Sequence, residues 1–198
     1  MEGSTGLKSN FYSEEELGEL GLKSFGEDVH ISRKASIYGA EHISIGSHVR
    51  VDDFCILSGT ITIGNYIHIA AYSALYGSTS GITLDDFANI SSRVCIYAVS
   101  DDYSGMSLTN PMVPDAYKHL EQAPVHIKKH VIIGSTSVVL PGVTLETGSA
   151  FGSFSLVRNS SEAWSINAGI PAKKIKDREK KLLELEKRFL EEWGGNIR

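Results

Sequence analysis

The segment of residues 95–105, CIYAVSDDYSG, places two adjacent carboxylates, Asp101 and Asp102, between two tyrosines, Tyr97 and Tyr103. A carboxylate can act as a general base near neutral pH when desolvation raises its pKa. The same letters are also typical of a turn, in which aspartates bind backbone N–H groups. Both interpretations stay open, so Asp101 and Asp102 are candidate bases and the tyrosines are candidate substrate-binding groups.

A second candidate base is His68, because an imidazole titrates near neutral pH. A purely structural corner histidine is the competing interpretation. Four further histidines are expected at ordinary surface positions, and a fifth in a loop: His30, His42, His48, His130 and His119. No HExxH, cysteine pair or His-x-His motif is found, so no metal site is expected.

A repeat through most of the chain must position these side chains. Large apolar residues recur at every sixth position: Ile45, Val51, Leu57, Ile63, Ile69 and Leu75, then Leu84, Ile90 and Ile96, then Ile127, Ile133, Val139, Leu145, Phe151 and Val157, with Ile31 and Ile37 upstream. The residue four positions later is usually small or β-branched, and both columns are expected to point inward. A period of six fits coils of three short strands that stack roughly 4.8 Å apart. The sequence therefore predicts an all-β solenoid over residues 29–175.

Three segments do not follow the repeat. Ser13 and Glu16 form a capping box that predicts a short helix over residues 13–20, within an N-terminal extension of residues 1–28. Residues 97–126 form a long protruding loop, and loops of this length tend to be functional. Residues 176–198 hold a predicted amphipathic helix over 177–193 that ends at Gly194. Its apolar face is expected to contain Leu182, Leu185, Phe189 and Trp193.

Composition limits the partners of this chain of 198 residues. A formal net charge of -5 argues against nucleic acid or an anionic membrane surface as the main partner. No apolar run is long enough to span a membrane, and the N-terminus lacks the regions of a signal peptide. We therefore expect a cytoplasmic protein, with neither membrane insertion nor secretion. Cys55 and Cys95 fall inside the repeat, where small buried thiols are expected.

Several stretches, IGSHVRV, IGNYIHI, IIGSTSVVLPGVTL and LETGSAFG, resemble the hexapeptide pattern of the left-handed β-helix acyltransferases. The later stretch SINAGIPAKKIK resembles the GNPAK signature of acetyl-coenzyme A-dependent members, with Ile170 in place of the asparagine. This resemblance implies a left-handed parallel β-helix and a homotrimer whose active sites lie in clefts between protomers. It also implies that the long loop reaches toward a neighbouring subunit.

The resemblance implies a binding site for acetyl-coenzyme A as co-substrate. Small residues would leave a slot for the pantetheine arm, and residues of the terminal motif would meet the adenine end. Arg158 would bind phosphate, with Lys174 and Lys129 as weaker candidates. The implied slot residues are Gly134, Ser135, Gly152 and Ser153, and the adenine-end residues are Ala172 and Lys173.

The chain departs from the resembling galactoside and streptogramin acetyltransferases at the base. A histidine opens their loop, whereas Ser100 stands near that position here. A general base contributes about 10²–10⁴-fold, which a hydroxyl needs more than an uncharged amine does. An amine acceptor is therefore favoured.

The loop letters SDDYSG and TNP also resemble sugar acetyltransferases of surface-polysaccharide (lipopolysaccharide O-antigen) pathways. These act on nucleotide-linked 4-amino-4,6-dideoxy sugars. Asn89, one coil from His68, is then a candidate acceptor-binding residue, and Arg93 a candidate partner of the diphosphate. The resulting prediction is N-acetyl transfer from acetyl-coenzyme A to such a sugar. Two alternatives remain, an O-acetyltransferase acting on a saccharide hydroxyl and a non-catalytic solenoid scaffold.

Overall fold

The structure is a computed structural model that describes residues 9–193. It contains a left-handed parallel β-solenoid of about seven turns and a C-terminal helix, which confirms the predicted fold. Gly194, the expected stop of that helix, lies outside the described residues.

Each coil contributes one short strand to each of three faces of a prism. Face A contains Ser24–Phe25, Ile43–Ile45, residues 61–63, residues 82–84, Val125–Ile127 and Thr144–Leu145. Face B contains Val29–Ile31, Val49–Val51, Ile67–Ile69, Asn89–Ile90, Ile132–Ile133, Ala150–Phe151 and Ser165–Gly169. Face C contains Ser36–Tyr38, residues 56–58, residues 74–76, Cys95–Tyr97, Val138–Val139 and Leu156–Val157. Two strands, Ile56–Ile63 and Ala74–Leu84, bend from face C into face A, and a 3-10 turn, Ala40–His42, joins the first two coils.

The interior of the prism holds the predicted six-residue ladder. Every ladder residue from Ile45 to Val157 is buried, and so is Ile31. Ile37 is half-buried, because its strand pairs with a coil on one side only. Burial of each large aliphatic side chain contributes roughly 1.5–3 kcal/mol, so the stacked ladder is the main source of stability.

The two cysteines differ in environment. Cys55 lies in the core, and its burial raises the pKa of the thiol to about 11. Cys95 is only half-buried, because it occupies an outward position of its strand on face C. The expectation of two buried thiols is therefore correct for Cys55 alone.

The chain turns between faces through residues with a positive φ angle, which is uncommon for residues other than glycine. The corner between faces A and B, called corner AB, stacks Asp28, His48, Tyr66, Phe87, His130 and Trp164. The corner between faces B and C, called corner BC, stacks Phe54, Tyr72, Arg93, Thr136 and Phe154. Neighbouring rings in these columns stack directly, as for Tyr66 and Phe87 at 4.9 Å between centroids.

Helix α1, Glu14–Glu19, covers the first coil and confirms the predicted capping box. The Ser13 hydroxyl accepts a hydrogen bond from the Glu16 backbone N–H, and the Glu16 carboxylate accepts one from the Ser13 N–H. Leu17 of this helix is buried against the core. Arg33 of the first coil donates to the same Glu16 carboxylate, which fixes the helix on the solenoid.

The long segment after Tyr97 is an ordered hairpin that leaves the prism at the corner between faces C and A, called corner CA. Val99–Asp101 pairs antiparallel with Leu120–Gln122. A 3-10 turn, Asp115–Tyr117, and an isolated bridge between Leu108 and Lys118 lie farther out. Much of the hairpin's apolar surface is exposed, including Tyr103, Met106, Met112 and Tyr117.

The C-terminal helix begins later than expected. Residues Ala172–Asp177 form a strand that pairs antiparallel with Ser165–Gly169, and Asp177 lies opposite Ser165. Helix α2 spans Leu182–Trp193. The predicted start at residue 177 was wrong, because the turn after Gly169 folds the charged run back onto the last coil.

Helix α2 packs on corner AB. The ring of Phe189 meets those of Tyr66 and Phe87 edge to face, at 5.2 Å and 6.2 Å. Leu185 is 57% exposed and Trp193 is 68% exposed, so these two do not share the packed face with Phe189. The predicted apolar stripe is therefore only partly used within the chain.

His130 was expected at the surface, but only 8% of its area is exposed. Helix α2 covers it, and Nε2 of His130 lies 2.8 Å from the Glu186 carboxylate. By contrast, His30, His42 and His48 stay at exposed or half-exposed positions beside acidic residues. His119 is exposed in the hairpin.

Candidate functional site

The structure places the predicted site residues in separate regions of the chain. Corner BC and the adjoining part of face B carry His68, Asn89, Arg93, Gly134, Ser135, Gly152 and Ser153. The hairpin and the end of face C at corner CA carry Tyr97, Asp101, Asp102, Tyr103 and Arg158. Ala172 and Lys173 lie on the strand that closes the last coil. Sequence reasoning placed these residues in one site without showing that they occupy two corners of the prism.

A strip of small side chains, called the BC groove, runs along corner BC parallel to the solenoid axis. One column contains Ala71, Ser92, Ser135 and Ser153, joined through backbone hydrogen bonds of consecutive coils. The hydroxyls of Ser92 and Ser135 lie 3.4 Å apart. The neighbouring column contains Ala70, Ser91, Gly134 and Gly152. With coils roughly 4.8 Å apart, the groove is about 14 Å long, which suits an extended, narrow ligand.

Sequence reasoning missed the part of this groove that the earlier coils form. Ala70, Ala71, Ser91 and Ser92 occupy the same positions of the repeat as Gly134, Ser135, Gly152 and Ser153, in earlier coils. The repeat therefore held the signal needed to find them. The resemblance had directed attention to the later coils alone.

The two glycines of the groove differ in how strictly the packing of neighbouring coils requires them. A Cβ at Gly134 would lie 2.5 Å from the backbone nitrogen of Ser153, so coil stacking alone requires this glycine. A Cβ at Gly152 would lie 3.1 Å from the Cβ of Ala168, which is tight but not forbidding. The open width of the groove therefore depends on Ser135, Gly152 and Ser153 rather than on Gly134.

Arg93 and Tyr72 form the face C rim of the groove. The Arg93 guanidinium lies 5.6 Å from the centroid of the Tyr72 ring, a cation–π geometry. Within residues 9–193, no carboxylate lies within 4.0 Å of the Arg93 guanidinium. This cation is therefore available to an anionic ligand.

His68 and Asn89 form the face B rim and are neighbours in consecutive coils. Nε2 of His68 lies 2.8 Å from the Asp52 carboxylate, which also accepts a hydrogen bond from Arg50. Burial raises the pKa of Asp52, but the bonds from His68 and Arg50 outweigh it, so that pKa lies below its ordinary value. Because an ionised carboxylate can only accept hydrogen bonds, this contact favours the tautomer in which Nε2 of His68 carries the hydrogen and Nδ1 has the free lone pair.

Asp102 has the environment of a turn residue rather than that of a base. Its carboxylate accepts hydrogen bonds from the backbone of Ser104 and from the backbone and hydroxyl of Ser107. These bonds lower the pKa of Asp102 to about 2. Because catalysis near neutral pH requires the opposite shift, these bonds favour a role of Asp102 in organising the hairpin over its predicted role as a base, which stays a prediction.

Asp101 remains a candidate, since its carboxylate makes one long hydrogen bond, 3.4 Å from the Asn110 nitrogen. The nearby Tyr97 stacks on Tyr76 at 5.1 Å. Burial and the neighbouring Cys95 raise the pKa of Tyr97 to about 12. The phenol is therefore protonated at neutral pH and acts as a hydrogen-bond donor.

A pocket of about 420 Å³, called the hairpin pocket, lies between the hairpin and the last coils of face C. Its lining residues are Ser100, Tyr103, Glu121, Leu140, Pro141, Leu156 and Arg158. Arg158, expected at phosphate, thus shares a pocket with Tyr103, expected at the acceptor. Sequence reasoning gave Glu121 no role, because nothing in its local pattern shows that the hairpin brings it to the same pocket as Arg158.

Candidate phosphate-binding cations near the last coils differ in availability. Lys174 is paired with Glu162 and Asp177, and Lys129 is paired with Glu186. Lys173 is exposed, and within residues 9–193 no carboxylate lies within 4.0 Å of its ammonium group. It follows Ala172, which packs partly against the core and lies opposite Gly169. Lys173 is therefore more available to phosphate than Lys129 or Lys174.

Two kinds of feature are absent from the described part of the chain. Residues 9–193 contain no group of three or more histidine, cysteine or acidic side chains arranged to hold a metal ion. No helix in the same range is both long and apolar enough to cross a membrane.

Comparison with known proteins identifies close relatives. No family model matches the chain. It is 52% identical over 182 residues to the dTDP-4-amino-4,6-dideoxy-D-glucose acyltransferase of Escherichia coli, covering 90% of this chain and 94% of that protein. It is also 30% identical over 156 residues to WbbJ of Escherichia coli K12, and the match covers 74% of each protein. The name of WbbJ assigns it provisionally as an O-acetyl transferase of lipopolysaccharide biosynthesis.

The fold matches that of AntD, an N-acyltransferase from Bacillus cereus whose crystal structure holds dTDP and 3-hydroxybutyryl-CoA. The TM-score is 0.92 at 52% identity, over 94% of this chain and 99% of AntD. A variant of AntD with one serine replaced by alanine holds dTDP-4-amino-4,6-dideoxyglucose and coenzyme A. These proteins cover the region that contains both the BC groove and the hairpin.

Proposed function

The chain belongs to the family of left-handed β-helix acyltransferases that includes dTDP-4-amino-4,6-dideoxy-D-glucose acyltransferase, and we propose that it acylates the 4-amino group of that nucleotide sugar from an acyl-coenzyme A. The observation that carries the proposal is 52% identity over nearly the whole length of that enzyme. The BC groove supports it, because its small residues leave room for an extended arm. The WbbJ similarity favours a second candidate, O-acyl transfer to a saccharide hydroxyl, at lower identity.

In this function the coenzyme supplies an acyl group activated as a thioester. Ser135, Gly152 and Ser153 would lie along the pantetheine arm, and Ala172 and Lys173 would lie at its nucleotide end. An uncharged amine carries its own lone pair, so positioning provides much of the rate enhancement, up to roughly 7–11 kcal/mol. The amine must still lose a proton, and Nδ1 of His68 and the Asp101 carboxylate remain the candidate acceptors.

The acyl group is a separate part of the proposal. Acetyl-coenzyme A is the donor implied by the resemblance, whereas AntD was crystallised with 3-hydroxybutyryl-CoA. Both are short acyl groups that a narrow groove accommodates. We take acetyl-coenzyme A as the first donor to test and 3-hydroxybutyryl-coenzyme A as the second.

The assembly that fits this site is a homotrimer. The BC groove and the hairpin lie at two different corners of the prism, so a second protomer is needed to bring a hairpin against a groove. The exposed apolar side chains of Met106, Met112 and Tyr117 favour burial of the hairpin in such an interface. The proposed substrates, an acyl-coenzyme A and a nucleotide sugar, favour a cytoplasmic location.

The test is a coupled assay of thiol release with product masses. The purified chain is incubated with acetyl- or 3-hydroxybutyryl-coenzyme A and with dTDP-4-amino-4,6-dideoxyglucose or dTDP-glucose. Thiol release with the amino sugar alone is expected. Turnover with dTDP-glucose alone would establish the O-acyl alternative, and failure to bind coenzyme A in calorimetry would favour the scaffold.

A further inference from the structure

The hairpin pocket contains two opposite charges that are not paired. Glu121 and Arg158 both line it, and within residues 9–193 their charged groups do not approach each other within 4.0 Å. Neither group has any other salt-bridge partner within residues 9–193. Both residues are exposed, so each charge is available to a ligand that enters the pocket.

The position of Glu121 is set by the base of the hairpin. Glu121 lies opposite Ser100 in the antiparallel ladder, and the next residue, Gln122, accepts hydrogen bonds from the hydroxyls of Ser78 and Thr79 on the solenoid. The backbone N–H of Ala123 also donates to the carbonyl of Ala98 at 3.1 Å. The hairpin base is therefore tied to the coils, and Glu121 is held above the pocket.

The opposite wall of the pocket is set by the solenoid repeat. Arg158 directly follows the strand Leu156–Val157, whose partner strand is Val138–Val139 in the preceding coil. Leu140, Pro141 and Leu156 supply the apolar floor. At the mouth, 94% of the Tyr103 side chain is exposed, which leaves its ring available for stacking. The pocket thus offers a carboxylate, a guanidinium and an aromatic ring around an apolar floor.

We propose that the hairpin pocket is the acceptor subsite, in which Arg158 binds the diphosphate and Glu121 binds the sugar 4-ammonium group. This inference rests on the proposed function, whose acceptor carries a negative diphosphate and a positive ammonium on one sugar ring. Such a ligand satisfies both charges at once. Tyr103 supplies a surface on which the nucleobase stacks.

Glu121 is then a specificity-determining residue. A hydroxy sugar can donate only a neutral hydrogen bond to this carboxylate, which is weaker than the charge-assisted bond from an ammonium group. A site that binds a charged or hydrogen-bonding group of its substrate discriminates against analogues that lack this group. This discrimination is much stronger than that of a hydrophobic pocket against analogues of a different size. Preference for an amine over a hydroxyl thus begins at binding.

The test compares Glu121→Gln and Arg158→Gln with two matched control variants on the exposed surface of α2, Glu191→Gln and Arg188→Gln. Kd values for dTDP and for coenzyme A come from calorimetry, and KM and kcat for the amino sugar come from thiol release. Arg158→Gln is expected to weaken dTDP binding about tenfold and to leave coenzyme A binding unchanged. Glu121→Gln is expected to raise KM for the amino sugar about tenfold and to leave dTDP binding unchanged. Thermal unfolding of all four variants checks that the fold is retained.

The possible failures can be told apart. A wild-type chain that acylates no nucleotide-linked amino sugar would overturn the proposed function, and the subsite with it. A wild-type chain that acylates the amino sugar, with both pocket variants within twofold of it, would overturn the subsite alone. If Arg158→Gln weakened coenzyme A or 3′,5′-ADP instead of dTDP, Arg158 would belong to the donor site and the proposal would be wrong.

Discussion

The Glu186 carboxylate of α2 and the imidazole of His130 in the fifth coil form a contact of 2.8 Å between two nearly buried side chains. Lys129 donates to the same carboxylate. Farther along α2, Phe189 meets rings of the third and fourth coils. The helix therefore bridges the point at which the hairpin interrupts the solenoid.

The first prediction concerns this contact. Glu186→Ala leaves His130 and Lys129 without their partner and is expected to lower the free energy of unfolding by about 1–3 kcal/mol, the cost of unsatisfied buried groups. Denaturant unfolding measures the change. Glu191→Ala, on the exposed side of α2, is the control, and an equal loss in both variants would contradict the assigned role.

The second prediction concerns pH and the hairpin. The folded-state pKa of Asp102 is depressed from 3.8 to about 2, so its contribution to hairpin order is present above about pH 4 and is lost as the pH falls toward 2. The protection of the Ser104 and Ser107 amides, measured as the intrinsic exchange rate at each pH divided by the observed rate, should fall in that window. In the Asp102→Asn variant, the Ser104 and Ser107 amides should exchange faster at neutral pH, and the pH profile of kcat/KM should stay unchanged. A shifted pH profile of kcat/KM would instead favour Asp102 as the base.

A matched pair of glycines provides the third prediction. Gly134→Ala forces a Cβ to within 2.5 Å of the next coil's backbone and is expected to destabilise the protein by about 1–3 kcal/mol. Gly152→Ala meets only the Ala168 methyl at 3.1 Å and should cost less. The two melting temperatures test this order, and equal values would show that coil spacing adapts at Gly134.

The fourth prediction addresses the groove itself. Ser153→Leu places a bulky side chain at an exposed position, so it should preserve stability but raise the Kd for coenzyme A at least about tenfold. Thr62→Leu, at an exposed position on face A, is the control. Normal coenzyme A binding by the Ser153 variant would move the donor site away from corner BC.

The fifth prediction separates the two remaining bases. Removal of the true base is expected to lower kcat by about 10²–10⁴-fold, with loss of the acidic limb of the pH profile. His68→Asn and Asp101→Asn are measured in parallel. If His68 is the base, Asp52→Asn should also shift that limb, because Asp52 fixes the imidazole proton on Nε2. Near-normal rates in both single variants would remove both candidates.

The sequence was sufficient for features that depend on neighbours in the chain or on the repeat. Leu57, Ile69 and Leu75 are buried where the period of six placed them. The N-cap at Ser13 also followed from local letters. Hydrophobic periodicity and capping are short-range signals, so they can be read without coordinates.

The features that were missed depend on contacts between distant residues. His130 is buried because Glu186 lies above it, and no pattern near His130 reports that. The C-terminal helix was predicted to start at residue 177, but the turn after Gly169 presents residues 172–177 to the last coil as a strand, so the helix begins only at Leu182. The hairpin pocket depends on a long insertion that brings Glu121 to the same cavity as Arg158.

The coils on either side of the hairpin stack as if it were absent, with Val125 opposite Ile82 and Val138 opposite Cys95. The insertion leaves the strand pairing of the prism unbroken. The hairpin therefore lies outside the ladder of backbone hydrogen bonds that joins the coils, and the prism does not need it to keep its register.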